Sequence, residues 1–198
     1  MKSWKDISLR KAIELESLGE MEKLDLIINQ YAILNDMTID EVEKMTPNEL
    51  FESSKDYQFI LKMPNAKKTD IVKVKGRKYG MVDFSKMTLA QMVDIEEYYN
   101  EGVIENAHKI LSVIMLPVKR NIPFTKIVLE DYNPDPQREE DFLDLDMEMV
   151  WGNLLFFYHI EMKYMKDLLG YLQVQLKTAS QYQKSQEMEE LRKQVEKQ

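Results

Sequence analysis

The stretch "IVKVKGRKYGM", residues 71–81, constrains the fold of this chain more than any other. Val72 and Val74 alternate with lysines, and Tyr79 and Met81 resume the alternation beyond Lys75-Gly76. Period two on both sides of a Lys-Gly turn predicts a β-hairpin with one apolar face. A lone hairpin cannot keep that face from water, so another part of the chain must cover it. Nearly everything else reads as helix. The expected fold is therefore mainly α: a helical domain with one β-hairpin and a long C-terminal helix.

Residues 1–64 predict a packet of short helices. Leu9, Ile13 and Leu15 or Leu18 fall near one face, and Leu24, Ile27, Ile28, Tyr31 and Leu34 follow at helical spacing. Two starts come next, "TIDEVEKM" and "TPNELFES". In each a threonine precedes a glutamate by three, so the threonine oxygen accepts from the third amide while the glutamate reaches back. Pro47 stands at the first helical position of the second, where its missing N–H costs nothing.

Residues 65–136 hold the hairpin and the segment "MTLAQMVDIEEYYNEGVIENAHKILSVIMLP". That segment predicts a helix carrying Leu89, Met92, Val93 and Tyr99, with Ile95 off its main face, closed by Gly102. A second helix carries Ile104, Ala107, Ile110, Leu111, Ile114 and Met115 and is stopped by Pro117. "NIPFTKIVLEDYNPDPQ" predicts a loop with room for a short strand at Lys126–Leu129, and Pro134 and Pro136 exclude helix there. From about Arg138 the pattern is helical through 137–198. Trp151, Leu154, Leu155, Tyr158, Met162, Met165, Leu169 and Leu172 make one broad stripe; Phe156, Phe157, Ile160 and Tyr164 lie off it. A helix apolar nearly all round is covered on several sides, by its own core or by an assembly. The continuous domain is expected to span 1–176. The tail 177–198, rich in Gln, Glu and Lys, has only the thin stripe Met188, Leu191 and Val195.

Composition narrows the functional classes. Hydrophobic residues make up 44% of the 198, enough for a core. The formal charge of −8 disfavours tracking a phosphate backbone unless a local patch overrides it. The one candidate patch is the hairpin region 67–78, with Lys67, Lys68, Lys73, Lys75, Arg77 and Lys78. Without cysteine there are no disulfides, thiolate metal sites or cysteine nucleophiles. The start has no apolar run ahead of a small-residue cleavage site, so no leader is expected. No run is long enough for a membrane helix.

The inventory for catalysis is thin. His108 and His159 are the two histidines, and neither has a second ligand at i+3 or i+4 to share its helix face. The acidic cluster Glu139, Glu140, Asp141, Asp144, Asp146 and Glu148 could attract a hard cation, but acids also belong in the first turns of a helix. "GRKYG" lacks the Lys-Ser/Thr of a phosphate loop. The expectation is no catalytic residue, no metal and no cofactor.

The segments "WKDISLRKAIEL", "MTIDEVEKMTPNEL", "IVKVKGRKYGMVDF", "MTLAQMVDIEEYY" and "ENAHKILSVIMLP" stand in this order over about residues 4–120. In that order the chain resembles small proteins of the structural gene modules of tailed bacteriophages, crAss-like phages among them. Some of these are described as tail assembly chaperones, others as virion proteins. The resemblance implies a non-enzymatic protein that binds other virion proteins in the host cytoplasm during assembly, or in the virion itself, with self-association open. It carries no catalytic residues. The residues expected to meet partners are Phe156, Phe157, Ile160, Tyr164, Tyr171, Met188, Leu191 and Val195. The competing reading is a phage nucleic-acid-binding or regulatory protein acting through hairpin residues 67–78.

Overall fold

The computed structural model describes residues 2–65, 67–120 and 127–164, with single positions 166, 170, 173 and 177 beyond them. The chain divides into two compact units, Met1–Phe156 and Phe157–Gln198. The fold is mainly α with a small antiparallel sheet. Helices α1 (Leu9–Ser17), α2 (Lys23–Asn35), α3 (Ile39–Glu43) and α4 (Pro47–Ser54) come first, followed by a 3-10 segment, Lys55–Leu61. Strands β1 (Ile71–Val74) and β2 (Arg77–Met81), helices α5 (Leu89–Asn100) and α6 (Ala107–Ile114), strands β3 (Met115–Arg120) and β4 (Val128–Leu129), and α7 (Pro136–Phe142) follow. A last helix, α8, starts at residue 147; its first ten residues close the first unit, and 157–164 are helical in the second.

The helix starts obey the capping chemistry. Thr38 accepts from the Glu41 amide and Thr46 from the Glu49 amide, and each glutamate accepts in return from its threonine's N–H. Thr88 and Gln91 form the same box on α5, and the Gln91 amide nitrogen also donates to the Val113 carbonyl at 3.0 Å. One buried side chain thus starts α5 and ties it to α6. Gly102 follows α5 at φ 117°, a conformation that favours glycine.

The sheet is larger than a hairpin, with strand order β1-β2-β3-β4. Its first turn has Lys75 at φ 44° and Gly76 at φ 87°; two central residues at positive φ suit the twist of a two-residue hairpin. The second antiparallel pairing sets Tyr79 opposite Pro117 and Met81 opposite Met115. The expected helix through Met115 therefore ends at Ile114, and Pro117 lies inside a strand instead of stopping a helix. A proline in an inner strand loses a ladder donor. Here the Pro117 carbonyl accepts from the Glu130 N–H at 2.8 Å, so the missing donor faces the side of the two-residue strand β4, where one lost bond ends the pairing. Pro136 is a second departure: it is the first residue of α7, behind the N-cap Asp135, which accepts from the Gln137 and Arg138 amides.

Two cores result. Ala32, Val42 and Leu50 knit α2, α3 and α4, with Ile27, Ile28, Tyr31, Met37 and Met45 packed around them. The central core gathers Leu9, Ile95, Ile110, Leu111, Ile114, Phe142 and Val150 with the apolar hairpin face, Val72, Val74 and Tyr79. The Tyr79 ring meets Phe142 edge-on at 4.9 Å. Residues 7–10 run antiparallel to 143–147, with Leu9 N–H bonded to the Leu145 carbonyl and Met147 N–H to that of Ile7. This joins the start of the chain to the start of α8. Gly152 then meets the loop before β1: a Cβ there would stand 2.3 Å from the Lys67 carbonyl oxygen. The next residue, Asn153, accepts from the Thr69 N–H.

Candidate functional site

Four segments of the first unit converge on a half-open apolar cleft of about 520 Å³. Ala12, Leu15 and Glu16 come from α1, Gln30 from α2, Ile60–Pro64 from the end of the 3-10 segment, and Met147 and Trp151 from α8, with Trp4 and Ile104 completing the wall. Trp4 is fixed at three points. The capping box of Ser3 and Asp6 holds its backbone, its indole N–H donates to the Lys62 carbonyl at 2.8 Å, and its ring meets Phe59 edge-on at 5.5 Å. Trp151 stands one turn beyond Met147 on α8. The rim is conspicuously apolar: Leu61 is 85% and Met63 77% exposed. Leu89, which does not line the cleft, is as exposed at 84%, so what marks the rim is two such side chains at one concave wall and not the exposure of either alone. The volume lies within the roughly 300–1,000 Å³ of ligand pockets.

The two charged candidates face each other. Lys75, at the hairpin tip, pairs with Asp141 at 2.9 Å and Asp144 at 3.3 Å. Arg77 pairs with Glu130, Arg10 with Glu140 at 2.6 Å, and Lys5 with Glu148 at 3.8 Å. The Lys75 ammonium and Gln137 hold the Asp141 carboxyl below its ordinary range, and Asp141 and Asp144 raise Lys75 in return. Lys75 is thus the hairpin cation that the acidic cluster engages; Arg77 and Lys68 are met by Glu130 and Asp70, and Glu140 and Glu148 of the cluster by Arg10 and Lys5. Among the described residues no group of three or more His, Asp or Glu side chains could hold a metal ion. Lys73 and Lys78 remain exposed, directly opposite one another across the hairpin.

His108 lies half-buried on α6, with its Nδ1 buried and without a hydrogen-bond partner among the described residues. Burial pushes its pKa down, Lys109 adds to this, and Glu140 opposes it. His159 is exposed on α8. Arg138, 3% exposed, donates to the Asn133 carbonyl, and Tyr132 donates to Asp94; both bonds fix the loop ahead of α7. Desolvation is the main reason that the Arg138 pKa is lowered and the Tyr132 pKa raised.

The residues expected to meet partners scatter. Phe156 is half-buried, with the Lys68 ammonium 4.0 Å above its ring; Phe157 is only 2% exposed; Ile160 is half-buried; Tyr164 is 49% exposed. Tyr171, Met188, Leu191 and Val195 lie outside the described residues. Tyr158 and Met162, assigned to the stripe by spacing, are about half exposed. Sequence reasoning did not find the cleft. Its available signal was the pair of tryptophans, Trp4 and Trp151, the only two in the chain, 147 positions apart.

The fold and site define a mainly α protein with a tryptophan-walled apolar cleft and a hairpin tip ion-paired to the acidic cluster. Comparisons with protein-family models, with curated proteins and with solved structures find no match to it.

Proposed function

We propose that this is a non-enzymatic structural or assembly protein of a tailed bacteriophage, working through protein–protein contacts in virion or tail assembly. The observation that carries the reading is the cleft with Leu61 and Met63 standing in water at its rim. Exposed large apolar side chains around a concave wall are the mark of a surface built to be covered. The phage context rests on the resemblance of residues 4–120. A nucleic-acid reading has less behind it, because Lys75 and Arg77 are already engaged by Asp141, Asp144 and Glu130.

Mass spectrometry of gradient-purified particles and of infected-cell complexes tests the reading. A virion component is present at fixed copy number, whereas a chaperone is absent from particles but bound to a virion protein in the cell. The double substitution Leu61→Glu and Met63→Glu removes that association while the chain stays folded. Absence from particles together with no phage partner in the cell sinks the proposal.

A further inference from the structure

The geometry points to the occupant of the cleft: a segment of a partner protein that offers large apolar side chains flanked by lysine or arginine. This rests on the reading of the cleft as a protein-binding surface and specifies the partner's chemistry. The first step is size. Leu61 and Met63 line the cleft yet are 85% and 77% exposed, so an occupant that covers them has to extend over the rim as well as fill the wall. A chain segment passing over the rim covers them as well as filling the wall between Trp4 and Trp151. Met63 and Met147 suit such an occupant, because unbranched thioether side chains repack around different shapes.

The second step is charge. Glu16 is part of the cleft, and the turn that follows it carries Glu20 and Glu22, with Asp25 in the first turn of α2; all four are exposed. None has an ion-pair partner within 4.0 Å among the described residues, in contrast to Glu140, Asp141, Asp144 and Glu148, which are held by Arg10, Lys75 and Lys5. Only Lys23 interrupts this acidic run, and among the described residues Lys62 is the one cation in the cleft wall. Glu16 in the wall and the unpaired acids that follow it in the chain favour a cationic flank on the partner and disfavour an anionic one. Glu16 and the indoles therefore act together: the apolar wall supplies affinity and the carboxylates set which apolar segments are accepted.

Panning a random dodecapeptide library on the full-length chain tests this. The expected winners carry large apolar residues with Lys or Arg beside them. Synthesised winners should bind the Leu61→Glu/Met63→Glu protein at least about tenfold more weakly, as loss of a central contact predicts. Reversal of Glu16, Glu20 and Glu22 to Lys should switch the selected flanks to acidic. Reversal of Glu96, Glu97 and Glu101, exposed and outside the cleft lining, makes the same change in net charge and should leave the basic preference in place, so a mere response to net charge is separated out. Winners whose flanks are charge-blind, or whose charge preference survives the first reversal, overturn the inference and leave the cleft reading standing. Winners that bind the rim variant undiminished, or no enrichment at all, overturn both. Rim and reversal sites are exposed, and circular dichroism of each variant confirms its fold.

Discussion

Two residues show how narrow the tolerances are. Gly152 is required by contact rather than by φ: an added Cβ would lie 2.3 Å from the Lys67 carbonyl oxygen and 2.5 Å from its carbon, and backbone cannot move aside cheaply. Gly152→Ala should therefore destabilise the protein by about 1–3 kcal/mol, the usual cost of overpacking, despite the better helix propensity of alanine. Urea unfolding of the two proteins measures this, and an unchanged midpoint contradicts it. His108 is the second case. Its pKa is lowered in the folded chain, chiefly by burial, from an ordinary value of 6.5. Below that value the unfolded chain takes up a proton that the folded chain refuses, so stability falls as pH drops through the window under 6.5. His108→Gln should flatten that part of the melting-temperature profile. The histidine thus matters to acid tolerance through its burial, with no catalytic role required.

At the scale of elements, the hairpin tip and α7 are held by charge. Lys75→Met should lower the melting temperature at low salt, with the difference shrinking as salt screens exposed pairs. Acid should do the same by another route. The folded Asp141 carboxyl sits below its ordinary 3.8, so its contribution is complete above about pH 4 and is lost as pH falls through the folded value. A melting profile in Lys75→Met that keeps the wild-type acid limb would refute this link. The same elements show what was legible beforehand. The capping boxes at Thr38 and Thr46, the turn at Lys75-Gly76 and the helix end at Gly102 depend on local chemistry, and the fold uses each as read. Strand β3 was not legible, because "SVIMLPV" continues the helical apolar run of α6 and only pairing with β2 decides its conformation. Local preference was overruled by tertiary contact. The ion pairs between hairpin and α7 were hidden for the same reason, since 66 positions separate Lys75 from Asp141.

At the scale of the molecule, the cleft and the C-terminal segment make competing claims to the partner. Every residue lining the cleft, and the buried set from Leu9 to Val150, belongs to the unit Met1–Phe156. The aromatic and tail positions Tyr164, Tyr171, Met188, Leu191 and Val195 belong to the other. A chain ended after Tyr164 removes the last four of these while leaving every lining and core residue in place. Thermal unfolding of that shortened chain should keep the midpoint of the full chain to within about 2 °C, because the apolar area that drives folding of the first unit is retained. Its affinity for cleft-selected peptides should also be unchanged. The decisive comparison is with the phage partner recovered from infected cells. If the cleft is the contact, the shortened chain keeps the partner and the Leu61→Glu/Met63→Glu chain loses it. If the contact is instead made by Tyr171, Met188, Leu191 and Val195, the two results exchange places, since a binding surface travels with the residues that make it.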